Sequence, residues 1–490
     1  MAGGSWSATE IPVLPGLYMN FKAAALAAIQ AGARGTVAIP VKAHWGPEKQ
    51  FVDITSEAMI TEIFTNDITN GATAYTSLYF AILGGASKIL AYRLTDSGVA
   101  KATTTLVDTG TAPGVNVLRL DGKYKGTRGN NFKVTVQVNP IDSLKKDIKL
   151  YEGTTLLRTF TLTSGTIDAA ISTINNDSAN VWITATKLAE GSGVLNNISG
   201  QTFTGGDSGI DGVVAQDYTD WMAALETQQF NLLALDGIYD GAIHTSVSAW
   251  IKRIREEGKC IIGVFGGSAS GDIAADAVAQ AMARAAGFNH EGIVSVGTGV
   301  VLDGTTYSSA QVACYVAGLI GGQKLSESIT YAATPFDDVT RRWTKSEMEQ
   351  AVTGGVYLFF HDGSIVKGLR GMNTLITLQQ GQNNSWKKVR AIRVMDAINI
   401  DLQGTAEANY IGKVNNTAEG RASLIGAFKQ YMQLLAMDGV IEADGWDVYL
   451  DPSYYGTNAT VTPEPDQVFT KWNARLTDVM EQIFGTFLVH

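Results

Sequence analysis

The sequence predicts a multi-domain chain of mixed α/β class, with an α/β core, a β-rich insert and extended arms at both ends. Three observations predict this fold class. Strand-like and helix-like segments alternate before about residue 100 and after about residue 213, which is typical of α/β domains. Between these regions apolar residues recur with period two, as in half-buried strands. Both ends of the chain carry apolar, strand-like segments.

Length and composition limit the class of protein. The chain has 490 residues, 45% hydrophobic and 17% charged, which is enough for roughly three or four domains with their own cores. A formal net charge of −10 argues against nucleic-acid binding, which needs a basic face. The longest apolar stretch, Ala310–Ile320, is too short to span a bilayer. Cys260 and Cys314 lie in apolar runs and predict buried thiols, not a disulfide or a metal pair.

The two arms are residues 1–22 and 483–490. Ile11–Phe21 is apolar, but Pro12 and Pro15 forbid a helix and favour an extended or edge path. Ile483–His490 consists largely of β-forming residues, whereas protein ends are usually polar and frayed. Such ends suggest strands donated to a neighbouring sheet edge, which would make the chain a polymerising subunit. The alternative is that both arms pack into their own fold.

The segment 23–100 is predicted as α/β. A short Ala-rich helix is expected at Phe21–Ala31, followed by a buried strand at Gly35–Val41. Thr55–Phe64 and Tyr75–Leu83 have helical spacing, and Lys88–Leu94 is a second strand.

Residues 101–212 form the β-rich insert, predicted as a sandwich or barrel. Thr, Gly, Asn and Asp fill the gaps between its strands. The insert ends in a glycine-rich hinge at Gly205–Gly212. The predicted strands are Val115–Leu120, Phe132–Val138, Ile148–Tyr151, Leu156–Leu162 and Val181–Thr186.

Residues 213–345 predict a parallel sheet with crossover helices. The helices are expected at Tyr218–Glu226, Val247–Glu257, Ile273–Ala286 and Ser308–Ile320, and the strands at Phe230–Leu235, Cys260–Phe265 and Ile293–Val296. A last α/β region, 346–482, has a strand-like centre at Val356–Phe360.

Charge is unevenly spread within this last region. Ile365–Lys429 contains nine Lys and Arg against four Asp and Glu, whereas Asp438–Glu481 contains two against nine. Ordinary solvated faces are one explanation. In a subunit that stacks on copies of itself, opposed patches would instead fix orientation and register.

The sequence offers no recognisable catalytic, cofactor-binding or metal-binding set. Gly267–Gly271 (GSASG) has Ala269 where a hydrolase elbow carries its nucleophile, and no phosphate-binding loop or H-E-x-x-H is present. Gly297–Gly304 lacks the third glycine of a dinucleotide fingerprint and predicts a hairpin or loop. The small residues of Gly318–Gly322 predict close helix packing. The five histidines are His44, His244, His290, His361 and His490, and no two of them have the spacing of metal ligands.

Blocks along most of the chain resemble the tail sheath proteins of contractile-tailed bacteriophages and of related phage-derived particles. Leu14–Phe21 (LPGLYMNF) is similar to the family's opening P-G-V-Y-x-x-F, and Arg34–Pro47 to the G-x-V and G-P pattern that follows it. The order and number of such blocks carry the resemblance. The others are Gly84–Leu94, Tyr124–Val134 (with Lys125 where proline is usual), Asn289–Gly322, Glu327–Tyr331, Gly371–Leu375, Arg390–Ile400, Gly412–Gly420 with Arg421, and Asp478–Phe484.

The resemblance implies an outward-facing β-rich insert, an inner C-terminal domain near the tail tube, and an α/β part that is often called subtilisin-like in shape. It implies a structural protein of the virion, assembled in the host cytoplasm, and not an enzyme. Hexameric rings would stack helically around the tail tube, and subunit repacking without a nucleotide cofactor would drive the tube through the target envelope. The implied partners are further copies, the tube protein, and baseplate and tail terminator proteins, with no nucleic acid and no membrane insertion.

Two sets of residues are the candidate contacts. The arm strands passed to neighbouring subunits would use Val13, Leu14, Leu17, Tyr18, Phe21, Phe487, Leu488 and Val489. A polar grip on the tube, or on a partner's acidic patch, would use Lys387, Lys388, Arg390, Arg393, Arg421 and Lys429. If Lys387–Arg393 formed a strand, alternate residues would face opposite ways.

Two other functions compete with the sheath. A subtilisin-like hydrolase is disfavoured because the Ser/His/Asp set is absent. A different virion structural protein, such as a capsid or baseplate component, is the other. Arms at both ends together with a mid-chain β insert favour the sheath over these.

Overall fold

The computed structural model describes residues 34–110, 114–191, 193–457 and 459–488, together with two short strands, β1 (Gly3–Gly4) and β2 (Leu17–Tyr18), which pair in parallel. The chain divides into two compact units, one spanning Ala33–Arg393 and the other including everything from Val394 onward. The helix expected at Phe21–Ala31 lies outside the described residues.

The first part of the larger unit has the alternation of elements that the sequence predicted. Its elements are β3 (Thr36–Val41), β4 (Phe51–Ile54), α1 (Glu57–Phe64), α2 (Ala74–Gly84) and β5 (Lys88–Arg93). Ser56 is the N-cap of α1, and its side chain accepts the Met59 N–H at 3.4 Å. Every residue of β3 is buried, as expected for the centre of a sheet that is covered on both faces.

The insert contains two antiparallel sheets that enclose one core. Its elements are β6 (Thr103–Val107), β7 (Asn116–Gly122), β8 (Phe132–Val138), β9 (Lys146–Glu152), β10 (Thr155–Thr161), α3 (Ile167–Asn175), β11 (Ile183–Lys187) and β12 (Ile198–Thr202). One sheet has the order β10-β9-β8-β12 and the other β11-β7-β6. The strand predictions are confirmed within a few residues, but β6, β12 and α3 were missed.

The chain then returns to the α/β domain. Its elements are α4 (Ala215–Leu225), β13 (Leu232–Ala234), α5 (Gly241–Glu256), β14 (Ile262–Phe265), α6 (Ala269–Ile273), α7 (Ala277–Phe288), β15 (Ile293–Val296), β16 (Val300–Leu302), β17 (Thr305–Tyr307), α8 (Ser309–Gly322), β18 (Asp338–Val339), α9 (Lys345–Thr353), β19 (Val356–Tyr357), β20 (Phe359–His361) and β21 (Val366–Gly368). The glycine-rich Gly297–Gly304 contains β16 and the turn of the β16–β17 hairpin, as predicted.

A seven-stranded sheet joins the parts of the domain on either side of the insert. Its order is β19-β15-β14-β13-β3-β5-β4, and every pairing is parallel except that of the edge strand β4. The predicted parallel sheet with crossover helices is therefore present. Val356–Tyr357, predicted as part of the region 346–482, is the opposite edge strand of this sheet.

Two helices on this sheet approach unusually closely at glycines. A methyl group on Gly84 of α2 would lie 2.2 Å from the Tyr315 carbonyl oxygen, and one on Gly318 of α8 would lie 2.1 Å from the Ala81 carbonyl oxygen. The backbones of α2 and α8 can meet at this distance only because neither glycine has a side chain. The close helix packing predicted from Gly318–Gly322 is confirmed.

The insert is attached to the α/β domain through buried side chains. Trp45 lies in the loop after β3, and its side chain packs in the core of the insert, with its ring centroid 5.5 Å from that of Phe132. Arg93, at the end of β5, donates to the carbonyl oxygens of Gly46 (2.8 Å), Lys125 (2.7 Å) and Ser208 (3.1 Å). The sequence predicted a hinge at Gly205–Gly212, but Ser208 within it is buried and hydrogen-bonded to both parts.

The first residue of α8, Ser309, binds the buried carboxyl group of Asp272. Ser309 donates its N–H (2.6 Å) and its hydroxyl (2.7 Å) to Asp272, and its oxygen accepts the Gly267 N–H at 2.7 Å. Burial raises the pKa of Asp272 to about 6, although the bonds from Ser309 and the charge of Arg284 act in the opposite direction. The carboxyl group of Asp272 thus contributes more stability when it is protonated.

The smaller unit is built on two long helices and a hairpin. It contains most of α10 (Val389–Asn409), together with α11 (Ala418–Met437), β22 (Asp447–Leu450) and β23 (Thr470–Asn473). Tyr431 donates its hydroxyl to Asp401 at 2.6 Å, which ties α11 to α10. The Phe428 ring packs 4.7 Å from that of Trp472, so that α11 lies against the β22–β23 hairpin.

Helix α10 corrects one expectation. Asn384–Lys387 is a short 3-10 helix and Val389 begins α10, so Lys387–Arg393 does not form a strand. Over so short a stretch Val389 and Ala391 have the spacing of a strand, whereas Val389 and Ile392 have the spacing of a helix face. The continuation to Asn409 decides for the helix. Among the helices that the structure describes, none is long and apolar enough to cross a membrane.

Replacing Gly318 with alanine is expected to destabilise the protein by about 1–3 kcal/mol, because the new methyl group would overlap the α2 backbone. Gly287→Ala in α7 is the matched control, since nothing lies within 4 Å of its added methyl group and alanine favours the helix by roughly 0.5–1 kcal/mol. Thermal unfolding should show a lower midpoint for G318A and an equal or higher one for G287A. Equal midpoints for G318A and the unchanged protein would contradict the close contact.

Replacing Asp272 with asparagine should expose its titration. Because the folded pKa of about 6 lies above the unfolded value, the stabilisation by Asp272 is complete below about pH 4 and is lost as pH rises through about 6. The advantage of the unchanged protein over D272N in urea unfolding should therefore fall by about 2–3 kcal/mol between pH 4 and pH 7. Asp362 should behave in the opposite way, because the hydrogen bond from Lys367 lowers the pKa of its carboxyl group. The stability difference between the unchanged protein and D362N should therefore be present at neutral pH and shrink only on acidification. A pH-independent difference for D272N would contradict the assignment.

Candidate interaction surfaces

The structure brings one serine and one histidine together, at the junction with the insert. His44 Nδ1 lies 2.8 Å from Ser208 Oγ and 3.0 Å from Thr127 Oγ1, and its Nε2 lies 3.0 Å from the Thr69 carbonyl oxygen. A carbonyl oxygen can only accept, so in the neutral ring Nε2 carries the proton and Nδ1 accepts from a hydroxyl. Sequence reasoning missed this pair because 164 residues separate its members.

This arrangement does not fit acyl-transfer chemistry. The histidine nitrogen opposite Ser208 contacts a backbone carbonyl where a hydrolase places a carboxylate. Ser208 is buried, and its oxygen also accepts the Thr127 N–H at 3.0 Å. The contact joins Ser208, at the end of the insert, to His44 in the loop after β3, and its role is structural. No cluster of three or more metal-ligating side chains occurs within the described ranges.

The C-terminal segment presents a run of apolar side chains to solvent. Thr477 is still bonded to the smaller unit, through its N–H to the Val440 carbonyl oxygen at 3.2 Å. Beyond it, no strand is formed in the part of the chain that the structure covers, up to Leu488. Five large side chains there are between 72% and 90% exposed: Met480, Ile483, Phe484, Phe487 and Leu488.

The other predicted arm residues are only partly open to description. Leu17 and Tyr18 form β2, of which the backbone alone is described. Four predicted contacts fall outside the described residues: Val13, Leu14, Phe21 and Val489.

The β22–β23 hairpin is a sheet of only two strands. Its register pairs Val448 with Trp472 and Leu450 with Thr470. Within the described residues, neither strand has a further neighbour, so both outer edges carry backbone groups that a third strand could pair with. A cleft of about 500 Å³ lies in the same unit, lined largely by apolar side chains that include Ile411, Val414, Leu424, Phe428 and Val468.

The six predicted basic contacts are not all exposed. Lys387 and Lys388 are half-buried, just before α10. Arg390 is buried, which corrects the expectation that it offers its guanidinium to a partner in this conformation. Arg393 donates to the Gln323 carbonyl oxygen at 2.6 Å, and burial lowers its pKa to about 10.

The remaining two basic residues interact within the smaller unit. Arg421 donates to Asn416 Oδ1 at 2.8 Å and lies over the Tyr455 ring, 5.4 Å from its centroid. Lys429 is exposed and forms an ion pair with Asp447 at 2.8 Å. The basic and acidic stretches seen in the sequence are thus partly neutralised by each other, as Lys429 and Asp447 show.

Four family models match the chain in succession. They are the tail sheath protein Gp18 domain III N-terminal region (residues 34–94), the phage tail sheath protein beta-sandwich domain (97–208), the phage tail sheath protein central domain (211–368) and the phage tail sheath C-terminal domain (381–490). Together they leave only short gaps after residue 34.

Two curated proteins are similar to this chain in sequence. The uncharacterized protein YqbK of Bacillus subtilis is 29% identical over 83% of this chain and 83% of its own length. The tail sheath protein of Clostridium phage phiCD119 is 26% identical over 46% of this chain and 58% of its own length.

Solved structures share the fold. The crystal structure of a sheath tail protein from Desulfitobacterium hafniense superposes with a TM-score of 0.71 and 26% identity, covering 94% of this chain and all of that one. The anti-feeding prophage helical sheath in its contracted state superposes with a TM-score of 0.54 at 12% identity, covering 98% and 99% of the two chains, which shows the fold alone. With sheath-family domains matched in order from residue 34 to residue 490, the chain belongs to the phage tail sheath protein family, a family of structural proteins of contractile tails.

Proposed function

We propose that this chain is the repeating subunit of a contractile tail sheath, which polymerises as hexameric rings stacked around a tail tube and contracts when its copies repack. The observation that carries the proposal is the exposed apolar segment between Met480 and Leu488. Family membership supports a sheath subunit, and this segment supports the way in which copies are joined.

The exposed segment needs a partner. Burying a large apolar side chain contributes about 1.5–3 kcal/mol, so covering Ile483, Phe484 and Phe487 would stabilise an assembly by roughly 5 kcal/mol or more. The segment forms no strand within the described chain, so pairing with another sheet would add main-chain hydrogen bonds. Both terms favour donation of the segment to another copy.

The β22–β23 hairpin is the acceptor in this proposal. An extended segment added to an open sheet edge gains main-chain hydrogen bonds, while alternate side chains enter neighbouring pockets. Both edges of the hairpin are open in the described chain, and the apolar cleft beside Phe428 and Val468 lies in the same unit. The N-terminal arm would be exchanged in the same manner, through Val13, Leu14, Leu17, Tyr18 and Phe21.

Contraction requires connections between copies, here the exchanged arms, and rigid bodies that can move, here the larger unit of each copy. The unit Ala33–Arg393 holds its insert through Trp45 and Arg93, which suits movement as one body. Donated strands would keep copies connected while the contacts between bodies change to a more buried packing. No nucleotide is needed, since the extended state stores the free energy that repacking releases.

The proposal assigns places and partners to the parts of the chain. The insert would face outward, and the C-terminal unit would lie next to the tail tube. Lys387 and Lys388, near the end of the larger unit, remain candidates for a polar grip. Baseplate and tail terminator proteins would bind the two ends of the sheath in the virion, after assembly in the host cytoplasm. The likeness of the α/β domain to subtilisin stays a prediction about shape.

Three substitutions test the tether: Ile483→Ser, Phe484→Ser and Phe487→Ser in one variant. The monomer should unfold at an unchanged temperature, because these side chains are exposed, whereas polymer yield should fall by about a hundredfold or more, given the burial that is lost. Sedimentation and negative-stain microscopy measure the polymer.

A matched control replaces Ile141 and Leu144 with serine. These two side chains are 95% and 84% exposed at a turn of the insert, a fractional exposure similar to that of the tail residues, but they have no proposed role in tethering. The control variant should assemble like the unchanged protein. Normal tubes from the tail variant would contradict the proposed tether.

A further inference from the structure

Tyr331 has a backbone conformation that tyrosine rarely adopts. Its φ is +55°, in the left-handed region, where a side chain crowds its own backbone. Six non-glycine residues have positive φ within the described ranges, and Tyr331 is the only aromatic one among them. Asn and Asp tolerate this region best, because their short polar side chains bond locally.

Hydrogen bonds to a neighbouring segment of the same chain hold this backbone conformation in place. The Tyr331 N–H donates to the Gly368 carbonyl oxygen at 2.7 Å, and the Gly368 N–H donates to the Ala332 carbonyl oxygen at 3.0 Å. Further along, the Thr334 N–H donates to the Val366 carbonyl oxygen at 3.1 Å. The segment is thus hydrogen-bonded along β21, and the turn at residue 331 is required by the fold whatever side chain stands there.

Packing inside the chain does not account for a tyrosine at this position. The side chain is 59% exposed, and its ring meets the half-buried Phe360 ring edge-on, with centroids 5.5 Å apart. Glycine or asparagine would adopt the turn with less strain and would lose little burial. Strained residues that the local fold does not reward are typical of functional positions.

We propose that Tyr331 makes a direct contact with a neighbouring copy of this chain, with Phe360 as the floor beneath it. The inference rests on the proposed function, in which copies are already tethered through their arms. Two aromatic side chains can bury at most roughly 150–250 Å² each, whereas a stable pair of free proteins buries about 800 Å² on each partner. A patch of this size can therefore hold only a partner that other contacts keep close, and tethered copies of this chain meet that condition.

A small aromatic contact suits a body that must move. Exposed tyrosines are frequent centres of protein interfaces, since a rigid ring buries large area at little entropic loss. The contact is weak in isolation, so that it can break or re-form while the donated strands hold. Tyr331 therefore contributes to the packing of bodies and not to the tether.

The test uses three full-length variants: Tyr331→Asn, Tyr331→Phe and Tyr239→Asn. Y331N keeps a residue that accepts positive φ but removes the ring, and Y331F keeps the ring. Y239N is the matched control, because Tyr239 is 60% exposed, nearly the same as Tyr331, but has an ordinary backbone. The measurements are the unfolding midpoint of the monomer and the critical concentration for polymerisation.

We expect Y331N to unfold at the same temperature as the unchanged protein or about 1–3 °C higher, because strain is relieved. Its critical concentration should rise about tenfold or more, whereas those of Y331F and Y239N should stay within about twofold of the unchanged value. A clearly lower unfolding midpoint for Y331N would overturn the inference, because the ring would then serve the fold of its own chain. An unchanged critical concentration for Y331N, or an equal rise for Y239N, would also overturn it. Failure of the unchanged protein to polymerise would instead contradict the proposed function itself.

Discussion

Apolar side chains that the chain does not bury by itself are the constraint on which the rest of the account depends. Between Met480 and Leu488 several large side chains face water, in a segment that forms no strand within the described chain. The smaller unit carries a two-stranded sheet with open edges. The segment could pair with a sheet edge, and the two-stranded sheet could accept a further strand. In a protein of the tail sheath family, another copy is the simplest source of both partners.

The larger unit is built in the opposite way. Its central sheet is covered on both faces, α2 and α8 meet through Gly84 and Gly318, and Trp45 and Arg93 lock the insert to the α/β domain. Interiors packed in this manner move as bodies and do not deform gradually. Tethers at the ends and rigid bodies between them are what a polymer needs if it is to shorten without falling apart. Contacts between such bodies must be small and replaceable, which is the role inferred for Tyr331.

Local patterns predicted much of the fold, and their failures have physical causes. Phe132–Val138 and Ile293–Val296 were predicted at their observed bounds, because period-two alternation and a short apolar run are strand signals within one segment. Helix α3 was missed because its apolar residues Ile167, Ala170 and Ile174 lie in a Thr- and Asn-rich stretch that otherwise reads as loop between strands. Residues 387–393 were too few to separate the two periods. The His44–Ser208 contact, the burial of Arg390 and the strained turn at Tyr331 depend on distant segments, and no local pattern signals them.

The most direct test of the account is a cryo-electron microscopy map of the polymer formed by the purified protein, at a resolution that traces the chain beyond Thr477. We expect the segment Met480–Leu488 of one copy to run as a strand along β22 or β23 of a different copy, with Phe484 and Phe487 buried there. A segment that turns back onto its own copy, or that stays exposed to solvent in the polymer, would contradict it.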